Sequence, residues 1–226
     1  TGLTPATQYC FVVTAVNGDI ESAKPEAVCA TTEEGVVLPE NMVAIGGGDE
    51  LGSYPFSLDN IGVNETYGYT AYGVSQQLYT AEELGGARKI ERLAFAIKAA
   101  NQYSTPFTTE EIKIYLAETT RTDYANQAWT AESDLTLVYS DTDIIIGDQE
   151  WETFEFDTPF NYGGVKNLAV VVVKSADEMS AQYFWHTNTV ANSVLYAETA
   201  TYPTQANLTS TRPVVRFAWE TEEVEP

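Results

Sequence analysis

Leu93, Phe95 and Ile97 alternate with Arg92, Ala94, Ala96 and Lys98, the period-two pattern of a strand with one buried face. Ile112, Ile114 and Leu116 repeat it against Lys113 and Tyr115. Leu135, Leu137 and Tyr139 follow, then Phe154 and Phe156 ahead of the turn signal Asp157-Thr158-Pro159. The run from Leu168 to Val173 is apolar on both faces, as a central strand between two layers requires. Tyr183 to Thr187, Ser193 to Ala197 and Pro213 to Trp219 bring the total to about nine or ten strands, the number and spacing of sandwiches and jelly rolls. One helical turn is predicted near Thr80 to Leu84, where Thr80 caps and Glu83 follows three residues later. The pattern therefore predicts an all-β, antiparallel, jelly-roll-like β-sandwich over residues 42–220, closed by an acidic tail at 221–226.

Ahead of it lies a smaller unit, residues 1–32. Tyr9, Phe11, Val13 and Ala15 share one strand face, Asn17-Gly18-Asp19 supplies a turn, and a second strand runs from Glu26 to Thr31. The approach Leu3-x-Pro5-x-Thr7-x-Tyr9 resembles the last two strands of a fibronectin type III domain. A lone two-stranded hairpin is marginal in water, so its apolar face is expected to pack on the larger domain or a neighbouring chain. Residues 33–41 read as a linker, punctuated by Glu33-Glu34-Gly35 and Pro39-Glu40-Asn41. The chain thus reads as one piece of a longer, multidomain polypeptide.

Cys10 and Cys29 are the only cysteines and sit on opposite strands of the hairpin, each offset by one from its core-facing set. Both then point to the same outer face, where a cross-strand disulfide closes if the Cα atoms come within about 7 Å. In the chain-entropy model such a loop contributes roughly 3 kcal/mol, and disulfides mark oxidising compartments. Two free thiols in a reducing compartment are the alternative. With two sulfurs and a single histidine in the chain, a zinc site is not expected.

Charge excludes some partners. Asp plus Glu number 33 against 11 Lys plus Arg, a net charge of −22, which repels nucleic acid and anionic membrane surfaces. No apolar run approaches the ~20 residues of a membrane-spanning helix, so no direct membrane insertion is expected.

The strings SQQLYTAEELG (Ser75 to Gly85), IKIYLAET (Ile112 to Thr119), DLTLVY (Asp134 to Tyr139), WETFEFDTPF (Trp151 to Phe160) and NLAVVVV (Asn167 to Val173) resemble a secreted β-sandwich module of Bacteroidetes proteins. That module is similar to the cleaved-adhesin jelly-roll domains of gingipain-like proteins. The resemblance implies a secreted or cell-surface, non-catalytic adhesion or ligand-binding unit beside other domains of the same polypeptide. Its expected partner is a glycan or a host or cell-surface protein. A carbohydrate-binding module attached to a hydrolase and a purely structural spacer are the alternatives.

Candidate chemistry falls into three sets. His186, the only histidine, has no Gly-x-Ser-x-Gly elbow to accompany it, and Glu155 and Asp157 share an outward strand face, so no catalytic residue is assigned. Calcium, as a structural ion, suits the oxygen-rich excursion from Asp49 to Gly73, with Asp49, Glu50 and Asp59 as candidate ligands; Asp141, Asp143 and Asp148 form a second acidic set. No cofactor is required. Tyr67, Tyr69, Tyr72, Gln76, Gln77, Trp129 and Trp185 combine flat apolar area with polar tips, the chemistry that stacks on sugars or grips a peptide. The competing reading of these tyrosines and amides is a structural one, closing the sandwich end and bonding edge backbone.

Overall fold

The structure, a computed structural model, describes residues 7–18, 20–31, 41–47, 50–52, 71–99, 107–108, 111–146, 150–176, 183–197, 199 and 201–219. For 50–52, 71, 97–99, 107–108, 146, 176 and 183–186 the description is of the backbone. The chain divides into two compact units, Thr1–Pro39 and Glu40–Pro226.

The first unit pairs β1 (Gln8–Phe11) with β4 (Val28–Thr31), and β2 (Val16–Asn17) with β3 (Ile20–Glu21), all antiparallel. Gly18, at φ +61, turns the chain between β2 and β3 in a conformation that a side chain disfavours. Cys10 stands directly opposite Cys29 and the two form a disulfide with Cα atoms 4.0 Å apart. Within this unit the apolar face of the hairpin is open. Phe11 is 57% and Val13 82% exposed, because β1 and β4 have no second layer among the described residues of this unit.

The second unit runs β5 (Met42–Ile45), β6 (Glu50–Gly52), β7 (Ala71–Tyr79), the single-turn helix α1 (Ala81–Leu84), β8 (Arg88–Ala99), β9 (Phe107–Thr108) and β10 (Glu111–Thr119). It continues with β11 (Thr136–Asp141), β12 (Ile145–Ile146), β13 (Trp151–Tyr162), β14 (Asn167–Ala176), β15 (Tyr183–Ala197), β16 (Asn207–Pro213) and β17 (Val215–Ala218). One layer orders β11-β10-β14-β7-β15, with β16 alongside β15; the other orders β13-β8-β17-β5. The long strand β15 belongs to both: Tyr183 to Trp185 pair with β8 and Val194 to Ala197 with β7. Between these segments its pairing with β16 shifts register after Thr189, and Asn192 takes φ +53.

The greasy inner faces meet in one cluster. Leu93 and Phe95 of β8, Phe154 of β13 and Phe217 of β17 face Ile114 of β10, Val170 and Val172 of β14 and Tyr79 of β7. This is an all-β antiparallel sandwich. The strand-period reading holds for Ile112, Ile114 and Leu116 of β10 and for Leu93 and Phe95 of β8, whose Ala94 and Ala96 on the opposite face are buried as well, and β14 is buried on both faces from Leu168 to Val172.

Two readings are corrected. On β11 it is Val138 that is fully buried while Leu137 is 43% exposed, because the β10–β11 register shifts between Ile114 and Tyr115 and moves the inward position by one. Gln76 and Gln77, placed above among ligand-facing amides, are both fully buried in β7, a strand flanked on both sides by β14 and β15.

The predicted helical turn is present. Thr80 Oγ1 accepts the Glu83 N–H at 3.2 Å, and Glu83 Oε2 accepts the Thr80 N–H at 2.8 Å, a complete capping box.

Candidate functional site

The outer face of the first layer carries Leu78 and Gln76 from β7 and Leu195 from β15, and the connection between β10 and β11, residues 120–135, lies over it. Tyr124 seals that contact, fully buried against Leu78 and Leu195. Burial drives its phenol well above the usual tyrosine range, so it stays a neutral hydroxyl.

Short polar side chains set the course of this connection. Asp123 Oδ1 accepts the Ala125 N–H at 2.8 Å and Asn126 Oδ1 accepts the Ala128 N–H at 3.2 Å, two Asx turns in succession. Arg121 Nη1 donates to the same Asn126 oxygen at 2.9 Å. Gln127 is forced to φ +54, a conformation that costs a non-glycine residue on the order of 1–2 kcal/mol. Bonds to three distant segments hold it there: Tyr124 N–H to Asn192 O at 2.8 Å, Thr130 N–H to Gln76 Oε1 at 3.0 Å, and Trp129 Nε1 to Gln205 O at 3.0 Å.

The product of this bracing is the presentation of Trp129. Its ring meets Tyr202 edge-to-face with centroids 6.0 Å apart, and Tyr202 donates its hydroxyl to Thr130 O at 2.8 Å. Burial, with the charges of Glu132 and Tyr115 added, pushes the Tyr202 phenol up to about 12. An open cleft of about 750 Å³ lies against Trp129, lined also by Glu118, Arg121, Asp134, Asn161 and Lys166. Asn167 ties its two cationic edges together by donating to Arg121 O at 2.7 Å, one residue beyond Lys166. Glu118 is held in place by the Gly163 N–H at 2.7 Å. A second open hollow, about 460 Å³, is lined by Tyr202, Pro203, Thr204 and Gln205.

Of the residues expected to bind, Trp129 lies in this cleft. Gln76 sits beneath it as the acceptor for Thr130, a support and not a contact surface. Gln77 donates to Ser75 Oγ at 2.7 Å on the inner side of β7. Tyr72 is 36% exposed and has the parity of Gln76 on the same strand. Tyr67 and Tyr69 lie outside the described residues. Trp185 is placed by backbone, opposite Ile97 and Gly52, and His186 opposite Leu51.

Asp49, Asp59 and Asp148 also lie outside the described residues, and Glu50 is placed by backbone opposite Thr187. Among the described residues no three His, Cys, Asp or Glu side chains converge as a metal site. Asp157 accepts the Ser140 N–H at 3.0 Å and Glu155 lies 3.8 Å from Arg92, so each has a structural contact on the exposed face of β13.

Arg121, Asp134, Lys166 and Tyr202 did not emerge from strand periodicity. The two Asx pairs, Asp123-x-Ala125 and Asn126-x-Ala128, were the local signal of a fixed loop ahead of Trp129.

The chain matches no protein-family model and no curated protein. No helix among the described residues is long and apolar enough to cross a membrane.

Proposed function

We propose that this chain is a secreted or surface-exposed, non-catalytic binding module whose ligand is a glycan held against Trp129. The observation that carries the reading is the pre-set loop. Gln127 is kept in a costly conformation by bonds from β7, β15 and the segment before β16, and the result is one indole ring fixed over a polar cleft. Fixing a ring before binding spares the ordering entropy that association otherwise costs. An aromatic plane beside amide, carboxylate and cationic side chains matches the apolar face and hydroxyl rim of a sugar, and about 750 Å³ falls within the usual span of ligand sites. The disulfide between Cys10 and Cys29 fits an oxidising, extracellular setting.

A glycan array followed by titration calorimetry tests the reading. Trp129→Ala is expected to weaken binding about thirtyfold, the loss of a buried aromatic anchor worth about 2 kcal/mol. Because Trp129 also packs against the cluster of Leu78, Tyr124 and Leu195, Asn161→Ala at the exposed cleft rim serves as a second variant that leaves the fold intact. Unchanged affinity in both variants, or an array with no binder, would remove the cleft from consideration and favour the spacer reading.

A further inference from the structure

The cleft and the smaller hollow adjoin. Trp129 lines the first and Tyr202 the second, and the two rings stand edge-to-face at 6.0 Å as their common wall. The wall is stitched from both sides: Trp129 Nε1 donates to Gln205 O of the smaller hollow, and Tyr202 donates to Thr130 O of the larger. Neither ring can turn without breaking a bond to the opposite side. Two open depressions of about 750 and 460 Å³ on either side of a fixed aromatic ridge are a poor match for one compact ligand.

We infer that the ligand is a chain: an oligosaccharide long enough to lie across the Trp129–Tyr202 ridge and place sugar units in both hollows at once. The inference rests on the glycan reading above and adds the ligand's length and polarity of contact. The larger hollow, with Arg121, Glu118, Asp134 and Lys166, supplies charged hydrogen-bonding partners. The smaller is built from hydroxyl, amide and proline groups, Thr199, Thr201, Pro203, Thr204 and Gln205. Units on the two sides of the ridge therefore meet different chemistry. Linking them makes the second contact intramolecular, so affinity climbs once the chain reaches across and then levels off. A peptide of similar length would look instead for apolar pockets or a free strand edge.

The test uses the full chain and a length series from disaccharide to hexasaccharide of chitin, xylan, mannan and galacturonan fragments, read by calorimetry. For the sugar type that binds, affinity is expected to rise about tenfold between the disaccharide and the hexasaccharide. In Thr204→Trp, which fills the smaller hollow from an exposed position, that length dependence is expected to collapse to within about twofold. Equal affinity for short and long chains in the unaltered protein overturns this inference and leaves the single-cleft reading standing. Binding by no fragment of any length, or binding only to extended peptides, overturns both.

Discussion

The guanidinium of Arg212, on β16 and 1% exposed, forms a two-pronged pair with the carboxylate of Glu83, the third residue of α1. Its Nη1 also donates to Leu78 O at 2.8 Å, and its plane lies 4.7 Å over the Tyr79 ring. One carboxylate thus closes the helix cap through Thr80 and neutralises a cation buried beside the core.

Breaking that relationship from the Glu83 side is the more damaging route. Glu83→Gln leaves a buried guanidinium with no counter-charge and is expected to cost about 3 kcal/mol, the lower end for a buried pair because Glu83 is 31% exposed. Glu83→Gln combined with Arg212→Met is expected to cost less than the sum of the two single changes, measured as a double-mutant cycle in urea. Burial alone would raise the Glu83 carboxyl, but hydrogen bonds from Arg212 and Thr80 and the Arg212 charge outweigh it and hold the group below its ordinary range. With the folded value depressed, the contribution is complete above about pH 4.3, the unfolded value, and is lost as pH falls through the lower folded one. The stability gap between wild type and Glu83→Gln should therefore close on acidification below about pH 4.

That cap was legible in the sequence because Thr80 and Glu83 are three residues apart and need nothing else. The same locality explains the success with Leu93 and Phe95, with Ile112 and Ile114, and with Cys10 and Cys29 across one hairpin. Leu137 was misplaced because a single register shift, at Ile114 and Tyr115, reverses the inward parity of everything beyond it on the partner strand. Gln76 was legible as special but not as buried, since its acceptor role depends on Thr130, 54 residues away. Arg121 and Lys166 share a cleft because β10 pairs with β14, Thr119 standing opposite Asn167, whose amide then donates to Arg121 O 46 residues away. No periodicity encodes such a meeting.

The turn between β13 and β14 is as demanding as the cap. Gly164 has φ +77, and a Cβ placed there would stand 2.2 Å from Ala87 N and 2.6 Å from Gly86 C, both backbone atoms that cannot step aside. Gly164→Ala is expected to destabilise the second unit by roughly 3 kcal/mol or more, the left-handed strain adding to overpacking against main chain. Gly85→Ala, also left-handed at φ +72, meets only the movable Arg88 Nη2 at 3.1 Å and should cost about 1 kcal/mol. Thermal melts of the two variants side by side separate the steric from the conformational contribution; equal losses would count against the close approach. Lys166 lies two residues beyond Gly164, so the same change should also weaken the glycan binding proposed for the cleft.

Reduction tests the hairpin. With Phe11, Val16, Ile20 and Val28 all more than half exposed, apolar burial within the first unit contributes little to β1 and β4, and the Cys10–Cys29 bond takes that role there. The closed loop is worth roughly 3 kcal/mol by chain entropy, enough to separate an ordered hairpin from a marginal one. Amide exchange in β1 and β4 should be slow in the oxidised protein and approach unprotected rates with dithiothreitol or in Cys10→Ser/Cys29→Ser. Protection that survives reduction would mean that another surface holds the hairpin.

Lys174 makes the last prediction. It follows Leu168, Val170 and Val172 along the inward side of β14, stands opposite Ile112 of β10 and Gly73 of β7, and is 2% exposed. Burial pushes its amine down to about 7. The unfolded chain, with an ordinary lysine near 10.4, binds the proton more readily than the folded one across that interval. Stability therefore rises with pH between about 7 and 10.4, and the burial penalty is greatest below about 7, where both states carry the charge. Lys174→Met cannot titrate. Its stability relative to wild type should be highest near pH 6 and should fall by a few kcal/mol, on the order of the linkage from such a shift, as pH approaches 10. Denaturant midpoints at several pH values read the slope directly, and parallel curves for the two proteins would show that the amine keeps its ordinary proton affinity on folding.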